Sequence, residues 1–264
     1  MAASATIGII GGTGLYSIVD SKEEIEVNTK YGKPSSPITI GKIGDKKVAF
    51  IARHGKEHTI TPHMVPYRAN IAALGDMGVT RILSSNAVGS LNSAYKPGDF
   101  VLFDQFVNMT QGRKDTFFDE NEVVHVGMAD PYCTQMRAVA SECAHANKEM
   151  VCHDRGTVVV INGPRFSTRA ESKLFMSQGF EVINMTQYPE IALAREKKMC
   201  YLGIGLVTDY DVGLASIGNI KPVSFDEVKR VFNLGMEKMT ALINQAVQRL
   251  PDERNCACQS ETEV

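Results

Sequence analysis

Cys200 to Val207 is a nearly unbroken apolar run, punctuated by Gly203 and Gly205. A strand without a polar face offers nothing to water, so it belongs inside a sheet covered on both sides. The run ends in Thr208-Asp209-Tyr210-Asp211. Two carboxylates at the end of a buried strand either meet a ligand or form a solvated loop, and the spacing is compatible with both. Some twenty residues upstream, the shorter run Val182-Ile183 ends in Asn184-Met185-Thr186. A hydroxyl and a main-chain turn therefore fall near the acid pair, at the ends of two successive strands.

Around these runs strands and helices alternate. Strands are predicted at Thr6 to Ile10, Ile38 to Ile43, Val48 to Ala52, Arg81 to Ser85, Asp99 to Phe103, Gly156 to Ile161, Val182 to Asn184 and Cys200 to Val207. Helices fit Val65 to Met77, Pro131 to Asn147, Thr168 to Gln178, Pro189 to Lys197 and Phe225 to Leu250. In the last, Val228, Phe232, Met236, Met239, Ile243, Ala246 and Leu250 recur at helical intervals, a stripe expected to face the core. The alternation predicts an α/β fold: one domain, residues 1–264, with a central mixed, mostly parallel sheet flanked by helices. The 264 residues, 44% of them hydrophobic, are enough for one large core.

A net charge of -2 supplies no basic field for nucleic acid. No apolar run approaches the roughly 20 residues that span a bilayer. Neither nucleic acid nor membrane is an expected partner. The first residues lack a basic n-region, so a cytoplasmic location is expected. Six cysteines, including Cys256-Ala257-Cys258 in the tail 251–264, complicate that picture. Intracellular proteins of hyperthermophiles do carry disulfides, and a cross-link through Cys256 or Cys258 is expected; a redox pair and a loose tail stay open. A metal is not expected, because no neighbouring His or second cysteine pair supplies a four-ligand spacing.

Ligand sites in such sheets lie beyond the carboxyl ends of the strands. Gly11-Gly12-Thr13-Gly14 follows the first strand, permitting close backbone approach to an anion. It fails the dinucleotide fingerprint, since Ser17 stands where the third glycine belongs. Arg53-His54 follows Val48 to Ala52, where a guanidinium can grip two phosphate oxygens and an imidazole can add a donor. Ser85-Asn86-Ala87-Val88-Gly89-Ser90 offers an amide side chain and successive backbone amides as an anion nest.

These segments, together with Tyr67-Arg68-Ala69-Asn70-Ile71 and Gly163-Pro164-Arg165-Phe166-Ser167, resemble the purine nucleoside phosphorylases, and within them the branch acting on 5′-methylthioadenosine. The resemblance runs from Thr6 to about Leu250, and the Cys-x-Cys tail resembles that of members from hyperthermophiles. It implies phosphorolysis, with phosphate attacking the anomeric carbon and adenine leaving, and no metal or organic cofactor beside phosphate as co-substrate. It implies a phosphate site of Thr13, Arg53, His54, Asn86, Ala87 and Thr186, with Met185 beneath the ribose and Phe166 and Ser167 at the purine. Asn86 departs from the threonine frequent in that branch. Asp209 and Asp211 would be the catalytic and base-reading acids, Asp209 protonating purine N7. The 6-oxopurine branch is implied to use Asn at that position, so Asp argues for adenine. Phe225 and Val228 would receive the 5′ methylthio group, although such residues on an amphipathic helix more often face the core, and His125 matches a residue reaching across from a neighbouring subunit. A homotrimer or homohexamer is implied. A phosphorylase of inosine or guanosine, a hydrolase using water, and a nucleoside-binding protein on the same fold are the alternatives.

Overall fold

A computed structural model describes residues 5–15, 18–120, 122–214 and 220–260. The strands are β1 (Ile7–Gly11), β2 (Asp20–Ile25), β3 (Ile38–Ile43), β4 (Lys46–Ala52), β5 (Arg81–Ser90), β6 (Phe100–Leu102), β7 (Gln105–Asn108), β8 (Cys152–His153), β9 (Thr157–Val160), β10 (Val182–Asn184) and β11 (Cys200–Tyr210). Interleaved with them are α1 (Tyr67–Asp76), α2 (Thr134–Ala146), α3 (Arg169–Ser177), α4 (Gln187–Glu196) and α5 (Phe225–Arg249). The strands form one mixed sheet in the order β2-β3-β4-β1-β5-β10-β9-β7, with β11, β6 and β8 branching from β5. Pairing is parallel for β1 with β4 and β5, and for β5 with β11, which sets the expected character of the centre.

β11 is the spine its apolar run requires: Cys200 to Thr208 are all buried. Its two glycines are explained by Phe103, because a Cβ at Gly203 or Gly205 would stand 2.4 or 2.8 Å from that ring. Two strands run well past their predicted carboxyl ends. β5 continues through Ser90, so Asn86 and Ala87 lie within a strand and not after it, and β11 continues through Tyr210 with a register shift between Val207 and Asp209. Polar residues ended both predictions, but here ladder partners carry the backbone past them.

α3 begins with a capping box, Thr168 and Glu171 each bonding the other's main chain, which fixes the end of the segment carrying Phe166 and Ser167. α5 buries its stripe only from Met236 onward, while Phe225 and Leu234 in its first turns are 58% and 70% exposed. The tail is docked, not loose: Lys46 donates to the Leu250 carbonyl, Arg81 donates to that of Asp252 at 3.0 Å, and Cys258 joins the core. The expected cross-link is not formed among the described residues, where all six cysteines are unbonded. No helix among them is long and apolar enough to cross a membrane.

Candidate active site

A gap in the sheet builds the site. β1 accompanies β5 only from Arg81 to Ser84, and β10 joins the same edge only at Gly89 and Ser90. Among the described residues, Ser85 to Val88 thus have no strand partner on that side. Arg81 N donates to Thr6 O across this edge, so alternation aims the main-chain groups of residues 85 and 87 the same way. Arg53 Nη1 takes the Ser85 carbonyl at 3.0 Å, leaving the Ala87 N–H facing the gap. A main-chain donor released from the ladder is available to an anion.

Arg53 is buried, and its fork is already engaged. Nε and Nη2 each donate to Glu190 at 2.8 Å, Nη2 also reaches Ser84 Oγ, and one Nη1 hydrogen is left for a ligand. The two-oxygen grip on phosphate expected from the sequence is corrected accordingly, since a guanidinium this deep needs a fixed counter-charge. Burial lowers its pKa, and the charge and hydrogen bonds of Glu190 more than reverse that, raising it above the ordinary value. Glu190 also accepts from Ser84 Oγ at 3.1 Å and from Tyr201. Sequence reasoning missed this residue, because nothing local distinguishes a buried glutamate on α4 from an exposed one.

His54 Nδ1 lies 2.7 Å from the Ile60 carbonyl. Burial, then the Arg53 charge, lowers its pKa to about 4, so the ring is neutral at pH 7. A carbonyl only accepts, which puts the proton on Nδ1 and a lone pair on Nε2. Nε2 of His54 can therefore only accept, where the sequence suggested a donor; monohydrogen phosphate and a sugar hydroxyl each have a proton to give. Asn86 is corrected too. Its Nδ2 donates to Ser84 O at 3.0 Å and Ile204 O at 3.3 Å, and its Oδ1 accepts from Gln187 Nε2 at 2.9 Å and Thr186 Oγ1 at 3.4 Å. The amide braces the gap instead of donating into it. The Thr13 side chain lies outside the described ones, and its backbone opens a 3₁₀ turn immediately beyond β1.

On the other side of the gap, Arg113 holds the turn that carries Met185, donating to the carbonyls of Met185 at 2.8 Å, Asn162 at 2.9 Å, and Tyr188. Gly163 adopts φ 63°, and a Cβ there would strike Met185 Sδ at 2.5 Å. Asp209 faces Gly89 across the ladder, where a Cβ would come 3.1 Å from its Oδ2. Burial, reinforced by the Asp211 charge and opposed by a 2.7 Å hydrogen bond from Thr208, raises its pKa to about 6. Both oxygens of buried Asp211 accept from Ser167 Oγ, at 2.7 and 2.8 Å. Ser167→Ala leaves that carboxylate short of a partner and should cost about 1–3 kcal/mol, read as a lower melting temperature. Between Ala87 and Gly89 lie about 7 Å of strand, room for a furanose ring between an anion and a base.

A cleft of about 840 Å³ opens beside Asp209, lined also by Val223, Ser224 and Val231. The Phe225 ring lies 6.4 Å from that of His58, which is 4.7 Å from His54, so Phe225 is turned toward the anion side and is not core. Val228 is half-buried, Phe166 is 37% exposed, and His125 lies on an exposed segment.

The profile of the phosphorylase superfamily matches residues 6–248. S-methyl-5′-thioadenosine phosphorylase of Pyrococcus horikoshii is 51% identical over 252 residues, covering 96% of this chain and 95% of that protein. The Saccharolobus solfataricus enzyme of the same name is 49% identical over 260 residues, covering 96% and 94%. Methylthioadenosine phosphorylase from Schistosoma mansoni in complex with adenine superposes with a TM-score of 0.88 at 36% identity, covering 95% of this chain and 93% of that one.

Proposed function

The chain belongs to the phosphorylase superfamily, and from that premise we propose that it catalyses phosphorolysis of 5′-methylthioadenosine to adenine and 5-methylthioribose 1-phosphate, in purine and methionine salvage. The observation that carries this reading is the pairing, across about 7 Å of β5, of an unpaired main-chain edge beside Arg53 with a carboxyl whose pKa is raised to about 6. A phosphate oxygen bonds to C1′ as the bond from C1′ to purine N9 breaks. The electron pair of that bond passes into the purine, and Asp209 gives its proton to N7. The transition state carries positive charge on the ribose and negative charge on the base, so dianion and acid each act where charge develops. Ala87 N–H, the remaining Arg53 hydrogen, Thr13 and Thr186 hold phosphate, with His54 accepting its proton-bearing oxygen. Met185 forms the ribose floor, and Phe166 covers the purine. Asp211, fixed by Ser167, accepts from the 6-amino group and adds the charge that keeps the proton on Asp209.

The residues call for no cofactor beyond phosphate. Phe225, Val228 and the exposed His125 suit a 5′ pocket completed by a neighbouring copy, in a cytoplasmic homotrimer or homohexamer. The test is release of adenine from 5′-methylthioadenosine with and without phosphate. We expect release that depends on phosphate and yields the sugar phosphate; equal rates in both conditions would defeat phosphorolysis, and no release would favour a binding protein.

A further inference from the structure

Four cysteines that are far apart in sequence converge at the opposite end of β11 from the acids. Cys133 precedes α2, Cys200 opens β11, and Cys256 and Cys258 belong to the 3₁₀ turn that ends the described tail. All four sulfurs lie within 4.8 Å of one another, and those of Cys200 and Cys256 are 3.4 Å apart. Thiolates at the corners of a tetrahedron, each about 2.3 Å from zinc, are about 3.8 Å apart along an edge, between those two values. Cys133, Cys200 and Cys258 are buried and Cys256 partly so. The second ligand pair that the Cys-x-Cys lacks in sequence is supplied by Cys133 and Cys200.

We propose that Cys133, Cys200, Cys256 and Cys258 form a tetrathiolate site for a divalent transition metal, zinc. Soft sulfur ligands in a tetrahedral set select zinc over hard cations. Four protein ligands leave no open coordination position, so the site is structural. Its place agrees: the nine residue steps from Cys200 to Asp209 span about 30 Å of strand, well away from the reacting atoms. Four thiolates around a dication carry two net negative charges. Buried Arg195 acts electrostatically on Cys258, and the first turn of α2 presents its N–H groups beside Cys133. Loading replaces thiol protons with metal and releases them to solvent. The bound ion would clip the tail to α2 and to the start of β11, three segments that otherwise meet through core packing and a few hydrogen bonds.

The full chain, purified under reducing conditions without chelator, is assayed by plasma mass spectrometry for metal and by intact mass for thiol state. We expect about one zinc per chain, the stoichiometry of a single tetrahedral site, released by a mercurial in step with loss of the thiols. Cobalt substitution should give the intense visible bands of tetrahedral thiolate coordination. Cys256→Ser, at the least buried ligand, should lose the zinc and lower the melting temperature by more than about 5 °C, while leaving kcat for 5′-methylthioadenosine within twofold. Less than about 0.1 metal per chain would overturn the proposal. It falls equally if the reduced protein shows four freely alkylated thiols, or if the unreduced protein lacks metal and weighs less by the four hydrogens of two disulfides.

Discussion

Asp209→Asn lowers kcat for 5′-methylthioadenosine by about 10²–10⁴-fold, the range for loss of a positioned general acid. The side chain keeps its size and its partner Thr208, so the fold should survive and the loss should fall on the chemical step. Inosine should lose much less, because an Asn amide can donate both to N7 and to the 6-oxo oxygen, where a carboxylate pair repels. Equal losses for the two substrates would mean that Asp209 does not choose the base. The pH dependence follows from the same group. In the free protein Asp209 gives up its proton as pH rises through about 6. At saturating phosphate, kcat/KM for 5′-methylthioadenosine should therefore fall on the alkaline side of that value, and the Asn variant should lack this limb. The effect on stability has the corresponding sign. The folded chain binds this proton more tightly than the unfolded one, so Asp209 stabilises the fold at acid pH, and the contribution is lost as pH rises through about 6.

Glu190→Ala should be the most destabilising single change at the site. It strands the Arg53 guanidinium in a pocket where its other partners are neutral. Breaking a buried pair from one side costs about 3–5 kcal/mol, which for a chain of this size is a fall of roughly 6–20 °C in melting temperature. Phosphate KM should rise as well, since the one free Arg53 hydrogen loses its aim. Glu190→Gln preserves the shape and part of the hydrogen bonding, so it should fall between the wild type and Glu190→Ala in a thermal melt. A Glu190→Ala protein that melts like the wild type would show that Arg53 does not depend on this carboxylate.

Much of this molecule follows from side-chain pattern alone. The apolar run of β11, the stripe of α5 from Met236 onward, and the polar clusters beyond β1, β4 and β10 are local signals, because burial on a strand or helix is written in periods of two or 3.6 residues. Asp209, Arg53 and Thr186 stood out for that reason. Strand length was less legible: Asn86 and Ala87 look like a turn, and only pairing with β11 keeps them extended.

The rest depends on what distant segments do to one another. The raised pKa of Asp209 comes from burial and the Asp211 charge, and Asp211 is held in place by Ser167, 44 residues away from it. Arg53 is turned from a phosphate clamp into the braced wall of the gap by Glu190, 137 residues on. His54 becomes an acceptor through the Ile60 carbonyl, and two tail cysteines acquire two more as neighbours. The sequence by itself determined the α/β architecture and which residue types stand at the strand ends, since those are properties of short segments. Protonation, hydrogen-bond direction and the cysteine cluster were decided only by the tertiary structure, because desolvation and charge act through space and are set by which segments the fold brings together.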